Sequence, residues 1–145
     1  LQENAKQTYT EIGRRFGVAH STVYDRIKRM EKNGVINKYI AVVDLEKLGI
    51  KHITAIMTVF TDPKESEKVA KKLSESKEVL AVSTSLSEEL SIIAKVVAKD
   101  QDKLHSFIAQ GVAPLPGVLR IRTSIITRKY KEEDFWSRGD ESAEH

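Results

Sequence analysis

The order of hydrophobic patterns between residues 52 and 127 constrains the fold more than any other feature of this sequence. Apolar, β-branched runs alternate there with stretches whose apolar residues recur every three or four positions, the period of an amphipathic helix. The predicted strands cover residues 52–60, 79–85, 90–98 and 118–127, and the predicted helices cover residues 63 to about 76 and 101–111. This βαββαβ order predicts an α+β, ferredoxin-like sandwich, in which both helices lie on one face of a four-stranded antiparallel sheet.

The two helices of this sandwich are predicted to begin at acidic caps. Asp62 precedes a proline, as an N-cap often does, and Glu65 would complete a capping box with it. Asp100 is the predicted cap of the second helix. Both helix starts can therefore be assigned from local hydrogen bonding alone.

The first predicted strand is apolar on both of its faces. Met57 and Val59 alternate with Ile56 and Phe60, so each face of the strand carries large apolar side chains. The helices of the sandwich can cover only one face of the sheet. An apolar sheet face left open is typical of an association surface, so we expect the chain to pair with itself.

Two short helices separated by three residues are predicted before the sandwich. Thr8 and Glu11 have the spacing of a capping box, and Ile12 and Phe16 are the expected buried residues of the first helix, which ends at Gly17.

The second helix of the pair is expected to bury Val23, Ile27 and Met30 and to end at Asn33-Gly34. Gly13 lacks a side chain and would let the two helices approach closely. So tight a connection predicts a helix-turn-helix, of the winged type, at the front of the chain.

The segments around the helix pair are assigned from composition. Residues 1–6 are expected to be the tail of a preceding helix that is otherwise largely missing, and VINKYIAVVD is expected to be a strand or a linker. The predicted organisation is a DNA-binding domain over residues 1–38, a linker strand over 39–51, the sandwich over 52–128 and a charged C-terminal tail over 129–145.

Positive charge is concentrated in the first quarter of the chain. Residues 1–38 contain eight Lys and Arg against four Asp and Glu, a net charge of +4, whereas the whole chain carries +3. Such asymmetry is typical of a nucleic-acid-binding segment joined to a neutral body.

The second helix of the pair has the composition of a helix that reads DNA in the major groove. Short polar side chains occupy its first turns and cations follow on the same exposed side, as base and phosphate contacts require. A solvated surface helix with this charge pattern is the alternative, but it does not account for the neighbouring helix and the short turn. The candidate DNA-binding residues are Arg14, Arg15, His20, Ser21, Thr22, Tyr24, Asp25, Lys28 and Arg29.

Other classes of function find little support in the sequence. Cysteine is absent, which excludes disulfides and thiolate chemistry, and the four histidines lack metal-ligand spacing. No catalytic set is recognisable, and no cofactor or metal site is expected. Apolar runs are too short to span a bilayer, so we expect no membrane association. The absence of cysteine fits a reducing compartment, and we expect a cytoplasmic location.

Two motifs resemble the leucine-responsive regulatory protein (Lrp/AsnC, feast/famine) family of transcriptional regulators. The front motif is TEIGRRFGVAHSTVYDRIKRMEKNGVINKY, in which Met30-Glu31-Lys32-Asn33-Gly34-Val35-Ile36 is followed by Tyr39. The back motif is LPGVLRIRTSIITRKYK. The resemblance runs from LQENAK to about Lys131, and the family's second domain is ferredoxin-like, in agreement with the order of elements.

The resemblance implies a cytoplasmic regulator that binds pseudo-palindromic double-stranded DNA as a homodimer, tetramer or octamer. It implies a recognition helix over roughly Ser21–Lys32. The family's helix-starting serine or threonine falls on Ala19, so we expect the cap to move to His20 or Ser21.

The resemblance also implies an amino-acid effector bound between subunits. In the effector loop, Leu86 replaces the glycine of the family, which adds bulk where a ligand would approach the backbone. We therefore expect either no amino-acid sensing or a different ligand. The candidate effector residues are Ser85, Leu86, Ser87, Glu88, Glu89, Thr123 and Ser124, although the last two fit ordinary strand positions equally well.

The sequence thus predicts a non-enzymatic, sequence-specific DNA-binding regulator of the Lrp/AsnC type with a small effector. The alternative is a small-molecule-binding regulatory module of a metabolic enzyme that does not bind DNA. Salt-sensitive binding to duplex DNA discriminates the two.

Overall fold

Residues 1–132 are described in a computed structural model of the protein, and they belong to two units. The first unit comprises residues 1–43 together with the segment that begins at Tyr130, and the second unit is Asp44–Lys129. Most of the predicted C-terminal tail lies outside the described residues. The domain boundaries drawn from the sequence stay predictions.

The first unit contains two helices, α1 (Tyr9–Phe16) and α2 (His20–Lys32). The capping box at the start of α1 is confirmed, because the Glu11 N–H donates to Thr8 Oγ1 at 3.1 Å and the Thr8 N–H donates to Glu11 Oε2 at 2.9 Å. Gly17 ends the helix in the left-handed region, at φ 68°. Local hydrogen bonding therefore fixes both ends of α1.

The helix pair packs closely at Gly13. A Cβ built on Gly13 would lie 2.5 Å from the Val18 carbonyl oxygen, so the missing side chain is what allows this approach. Val23 and Ile27 of α2 are buried, as predicted. The prediction that Phe16 is buried is wrong: it is 72% exposed, because α1 contacts the turn through Gly13. The Phe16 ring lies instead beside the Arg15 guanidinium.

Two expectations for the flanking segments are also wrong. Residues 1–7 form a bend and a turn and no helix. The linker strand expected over residues 39–51 is absent, and residues 37–44 contain neither helix nor strand. An extended segment becomes a strand only by pairing with another, and no strand in residues 1–132 pairs with this one.

The second unit confirms the ferredoxin-like fold. Its strands form one antiparallel sheet in the order β2-β3-β1-β4. The elements are β1 (Ile53–Thr61), α3 (Ser66–Ser74), β2 (Val79–Leu86), β3 (Leu90–Ala98), α4 (Gln101–Phe107) and β4 (Val118–Ile126).

Of the two helix starts predicted in the second unit, one is confirmed and the other is wrong. Asp100 caps α4 as predicted, accepting from the Lys103 N–H at 2.8 Å. The capping box of Asp62 and Glu65 is not formed, because the Asp62 carboxylate accepts from the Lys64 N–H and α3 begins later, at Ser66. The helix predicted to run to Gly111 changes to a π-helical turn over Ile108–Val112.

The core of the second unit lies between one face of the sheet and the two helices. Side chains of β1 and β3 alternate between this face and the open one. Met57 is fully buried on the covered face, whereas Ile56, Phe60 and Ile93 lie on the open face and are only partly buried or exposed. The fully or almost fully buried residues are Ala55, Met57, Val59, Val69, Leu73, Ile92, Ala94, Val96, Leu104 and Val112.

Candidate functional site

Polar and cationic side chains cover the face of α2 opposite to its buried residues. Val23 and Ile27 point into the first unit. At 100° per residue, Ser21, Asp25 and Lys28 lie on the opposite side of the helix. This face is exposed and is long enough to lie along a groove.

The candidate DNA-binding residues all lie on α1 and α2. Arg14 and Arg15 occupy the last turn of α1. In α2, Thr22 is half-buried. The exposed members of the set are Arg14, Arg15, His20, Ser21, Tyr24, Asp25, Lys28 and Arg29.

The start of α2 differs from the prediction. Ala19 occupies the N-cap and has no side-chain acceptor, while its carbonyl oxygen accepts from the Thr22 and Val23 N–H groups. A cap at His20 or Ser21 was therefore wrong, because both residues already belong to the helix.

A network of four side chains links α2 to the following segment. The Tyr39 hydroxyl donates to Glu31 Oε1 at 2.9 Å, and Lys28 Nζ lies 3.3 Å from Glu31 Oε2. Lys28 also lies over the Tyr24 ring, 5.5 Å from its centroid. Sequence reasoning named Lys28 and Tyr24 but missed the contact between Tyr39 and Glu31, which joins residues eight apart across a helix end.

The network changes the acidity of its members. The Tyr39 hydrogen bond, with the Lys28 ammonium, lowers the pKa of the Glu31 carboxyl. The same carboxylate raises the pKa of Lys28 and of Tyr39, in each case mainly through its hydrogen bond. Lys28 therefore stays protonated, and the Glu31 carboxylate offsets part of its positive charge, whereas Arg14 and Arg29 form no ion pair within residues 1–132.

The candidate effector residues of the β2–β3 hairpin lie at one end of the sheet. Leu86 is 80% exposed and ends β2. Glu89 Oε1 accepts from Arg120 of β4 at 3.0 Å, and the Arg120 guanidinium stacks 4.1 Å above the Phe60 ring. Arg120 and Phe60 were not among the predicted site residues, because strand register rather than sequence distance brings them to Glu89.

The two candidate residues of β4 lie on opposite faces of the sheet. Thr123 is paired with Met57 on the covered face, and Ser124 is paired with Ile56 on the open face. Arg120 is paired with Phe60 and shares the open face with Ser124. Any ligand on that face could contact Ser124 but not Thr123 without passing through the sheet.

The described residues offer no sign of a metal site or of a membrane span. No group of three His, Asp or Glu side chains within residues 1–132 could hold a metal ion. In the same range, no helix combines the length and the apolar character that crossing a bilayer requires.

Both halves of the chain match known protein families. Residues 1–37 match the winged helix-turn-helix DNA-binding model, and residues 54–135 match the Lrp/AsnC ligand-binding domain. The chain belongs to the Lrp/AsnC family. It is therefore an HTH-type transcriptional regulator with an effector-binding domain, and the resemblance seen in the sequence is confirmed.

Individual members of this family align along almost the whole chain. An HTH-type transcriptional regulator of Pyrococcus furiosus is 36% identical, with 88% of this chain and 84% of that protein aligned. The regulator LrpA of Pyrococcus horikoshii is 30% identical, over 90% and 92% respectively. The crystal structure of a transcriptional regulator from Neisseria meningitidis in complex with L-methionine has the same fold, with a TM-score of 0.77 at 22% identity, covering 92% of this chain and 87% of that one.

The family assignment does not favour the alternative drawn from the sequence. A regulatory module of an enzyme would need no DNA-binding domain, and residues 1–37 match one. Every candidate DNA-binding residue lies within that matched range.

Proposed function

We propose that α2 is the recognition helix and lies in the major groove of its operator. The support is the polar side of α2, where the exposed Ser21 and Asp25 and the half-buried Thr22 precede the exposed Lys28 and Arg29. Short polar side chains at the start of such a helix reach base edges, and cations further along reach phosphates. Arg14 and Arg15, in the last turn of α1, would contribute further phosphate contacts, and His20 and Tyr24 would border the base-reading residues.

Replacing a cation of this face tests the assignment. Arg29→Ala should weaken binding to any duplex and reduce the slope of log Kd against log salt by about 0.9 for each phosphate that is no longer neutralised. Lys71→Ala is the matched control, since it removes an exposed cation from α3 with the same change in net charge. Equal salt slopes for Arg29→Ala and the parent would contradict the groove assignment.

Base reading is tested separately from charge. Ser21→Ala should leave the salt dependence unchanged and relax the preference for the selected operator over mismatched duplexes. Each mismatched base pair is expected to cost the parent about 1–3 kcal/mol, and this cost should fall at the position that Ser21 contacts. Selection of bound fragments from genomic DNA supplies the operator for the measurement.

The chain is further proposed to act as a homodimer or a larger assembly, in the cytoplasm, where its DNA lies. Two recognition helices in a symmetric pair would read half-sites about one helical turn apart or a multiple of it. The open sheet face supports self-association, because Ile56, Phe60 and Ile93 would otherwise stay in contact with water.

Two isoleucines of equal exposure test the open face as the contact between copies. Ile93 lies on the open face and Ile125 on the covered face, and each is 38% exposed. Ile93→Glu should shift the chain toward monomer in size-exclusion chromatography with light scattering, while Ile125→Glu should leave the assembly intact. Dissociation by Ile125→Glu alone would place the contact elsewhere.

The second unit is proposed to bind a small effector, an amino acid or another compound that carries charges of both signs. The Neisseria regulator bound to L-methionine has this fold. In this chain the hairpin residue Glu89 places a carboxylate 3.0 Å from the guanidinium of Arg120. Arg120 shares the open face with Ser124, which lies four residues further along β4. Ser85, Leu86, Ser87 and Glu88 would surround the ligand from the hairpin, whereas Thr123 faces away.

Calorimetry with pooled amino acids tests the effector proposal. Glu89→Gln should abolish or weaken the binding heat by removing the carboxylate partner of Arg120. Glu67→Gln is the matched control, since it breaks an exposed ion pair of 3.1 Å on α3. Binding that is equally strong in Glu89→Gln would exclude this pair from the site.

A further inference from the structure

A hydrogen bond from Tyr39 joins residues 37–43, the segment after α2, to the recognition helix. The Tyr39 hydroxyl donates to one oxygen of the Glu31 carboxylate, and the other oxygen of that carboxylate holds Lys28. Both carboxylate oxygens of Glu31 are thus engaged. Because the acceptor is charged, the Tyr39 hydrogen bond is stronger than one between two neutral groups.

Within residues 1–132, Tyr39 makes the only hydrogen bond of residues 37–43. The Val35 and Ile36 N–H groups donate to the Met30 carbonyl oxygen, so the backbone stays joined to the end of α2 as far as Ile36. The second unit begins at Asp44. Residues 37–43 end the first unit and contain neither helix nor strand, and we call the part of them without a hydrogen bond the tether. With the hydroxyl bonded to Glu31 the tether is residues 40–43, and without that bond it is residues 37–43.

We infer that Tyr39 and Glu31 form a latch that sets the free length of the interdomain tether. The latch is a positioning device: it is not required for the contact of α2 with one half-site, but it limits the separations at which two recognition helices can bind together. This inference rests on the proposed binding of two half-sites by a symmetric pair.

A shorter tether raises the effective concentration of the second recognition helix at its half-site. Effective concentration falls as about the −3/2 power of tether length once the tether spans its sites. Opening the latch should therefore weaken binding to a correctly spaced pair of half-sites about twofold. It should at the same time reduce the penalty for shifting one half-site by half a helical turn, about 5 bp.

The latch itself can be measured without DNA. Trypsin cleaves after Lys38, next to the latch, and cleavage there should be about fivefold faster in Tyr39→Phe, the factor that one net hydrogen bond supplies. Tyr130→Phe is the matched control, since it removes the hydroxyl of a tyrosine that is 88% exposed. Unchanged cleavage after Lys38 in Tyr39→Phe would overturn the latch.

Glu31→Ala separates the latch from other effects of the tyrosine. It should accelerate cleavage after Lys38 as Tyr39→Phe does, and the double variant should show no further acceleration, because both changes open one contact. Additive accelerations would mean that the two residues act independently, which would also overturn the inference.

Affinities for duplexes with one or two half-sites complete the test. Tyr39→Phe should bind a single half-site as the parent does, with a preference for correct spacing that is about half that of the parent. An equal loss of affinity for duplexes with one half-site and with two would show that Tyr39 only stabilises the first unit, which would contradict the inference. If the parent binds no duplex, the proposed function fails, while the cleavage result still decides whether the latch exists.

Discussion

The two units of this chain bury apolar surface to very different extents. Among residues 1–132, the first unit buries Val23 and Ile27, whereas the second buries a cluster of ten apolar residues between its sheet and helices. The first unit therefore relies on caps, a close approach at Gly13 and a polar network. The second relies on its core, and it still leaves apolar side chains on the open face of its sheet.

This difference matches the proposed tasks of the two units. A helix that reads DNA needs its exposed face free for polar contacts, so few of its residues remain for a core. A unit that holds copies together needs a rigid sheet beneath an apolar face. The predictions below test whether the two units are held together independently and by these different means.

The largest expected effects come from truncating a buried side chain in each unit. Met57→Ala and Ile27→Ala should each cost about 3 kcal/mol of unfolding free energy, because both leave a cavity. Amide hydrogen exchange should assign the loss to residues 53–126 for Met57→Ala and to residues 8–34 for Ile27→Ala. If either variant reduced the protection of both units equally, the two units would unfold as one cooperative structure, and the comparison would be wrong.

A smaller effect, of reversed sign, is expected at Gly13. Alanine normally stabilises a helix interior by about 1 kcal/mol relative to glycine. At Gly13 the added Cβ would lie 2.5 Å from the Val18 carbonyl oxygen, so we expect Gly13→Ala to destabilise the first unit by about 1–3 kcal/mol in denaturant titrations.

Gly111→Ala is the matched change in the second unit. Its Cβ would meet the Phe107 ring at 3.3 Å, a contact that a small ring movement relieves. We expect a change within about 1 kcal/mol there. Stabilisation by Gly13→Ala would contradict the view that this glycine sets the distance between α1 and the turn.

The smallest effect is a pH dependence confined to the first unit. The Tyr39 hydrogen bond and Lys28 hold the pKa of the Glu31 carboxyl below its ordinary value of 4.5. Its stabilising contribution is therefore fully present above pH 4.5 and is lost as the pH falls through the lower pKa of the folded state. The melting temperatures of the parent and of Glu31→Gln should differ at about pH 7 and converge as the pH falls below the folded-state pKa of Glu31.

Tyr39 adds a loss of stability at high pH, whereas Glu31 gives a loss at low pH. The pKa of Tyr39 is raised above 10.0 by the Glu31 carboxylate, so its contribution is present below pH 10 and is lost as the pH rises through the higher folded value. For Glu31, a difference between the parent and Glu31→Gln that does not change as the pH falls from about 7 into the acid range would contradict the pH dependence.

Much of the fold followed from short-range patterns. The bounds of α1 agree with the prediction because Thr8, Glu11 and Gly17 act within one helical turn of the residues they cap. The bounds of β3 agree because its apolar run is long and its flanks are polar. One wrong prediction came where a pattern had two outcomes, at Asp62, whose carboxylate accepts from the Lys64 N–H rather than from the Glu65 N–H.

Sequence reasoning predicted less of the candidate site than of the fold. Period-two alternation could have separated Thr123 from Ser124, since neighbours on a strand point to opposite faces. The ion pair of Glu89 with Arg120 could not be read in that way, because it depends on the pairing of β4 with β1. Phe16 shows the same limit of sequence reasoning. It has the helical spacing of a buried residue, but no element within residues 1–132 covers it.

By itself the sequence determined the order of elements, the family and the concentration of positive charge on the first two helices. Each of these depends on residues within a few positions of one another or on composition. Tertiary structure alone decided which cations are free, which face of the sheet stays open and where Tyr39 attaches. Those outcomes depend on which distant side chains meet, and that is fixed by strand register and packing rather than by spacing along the chain.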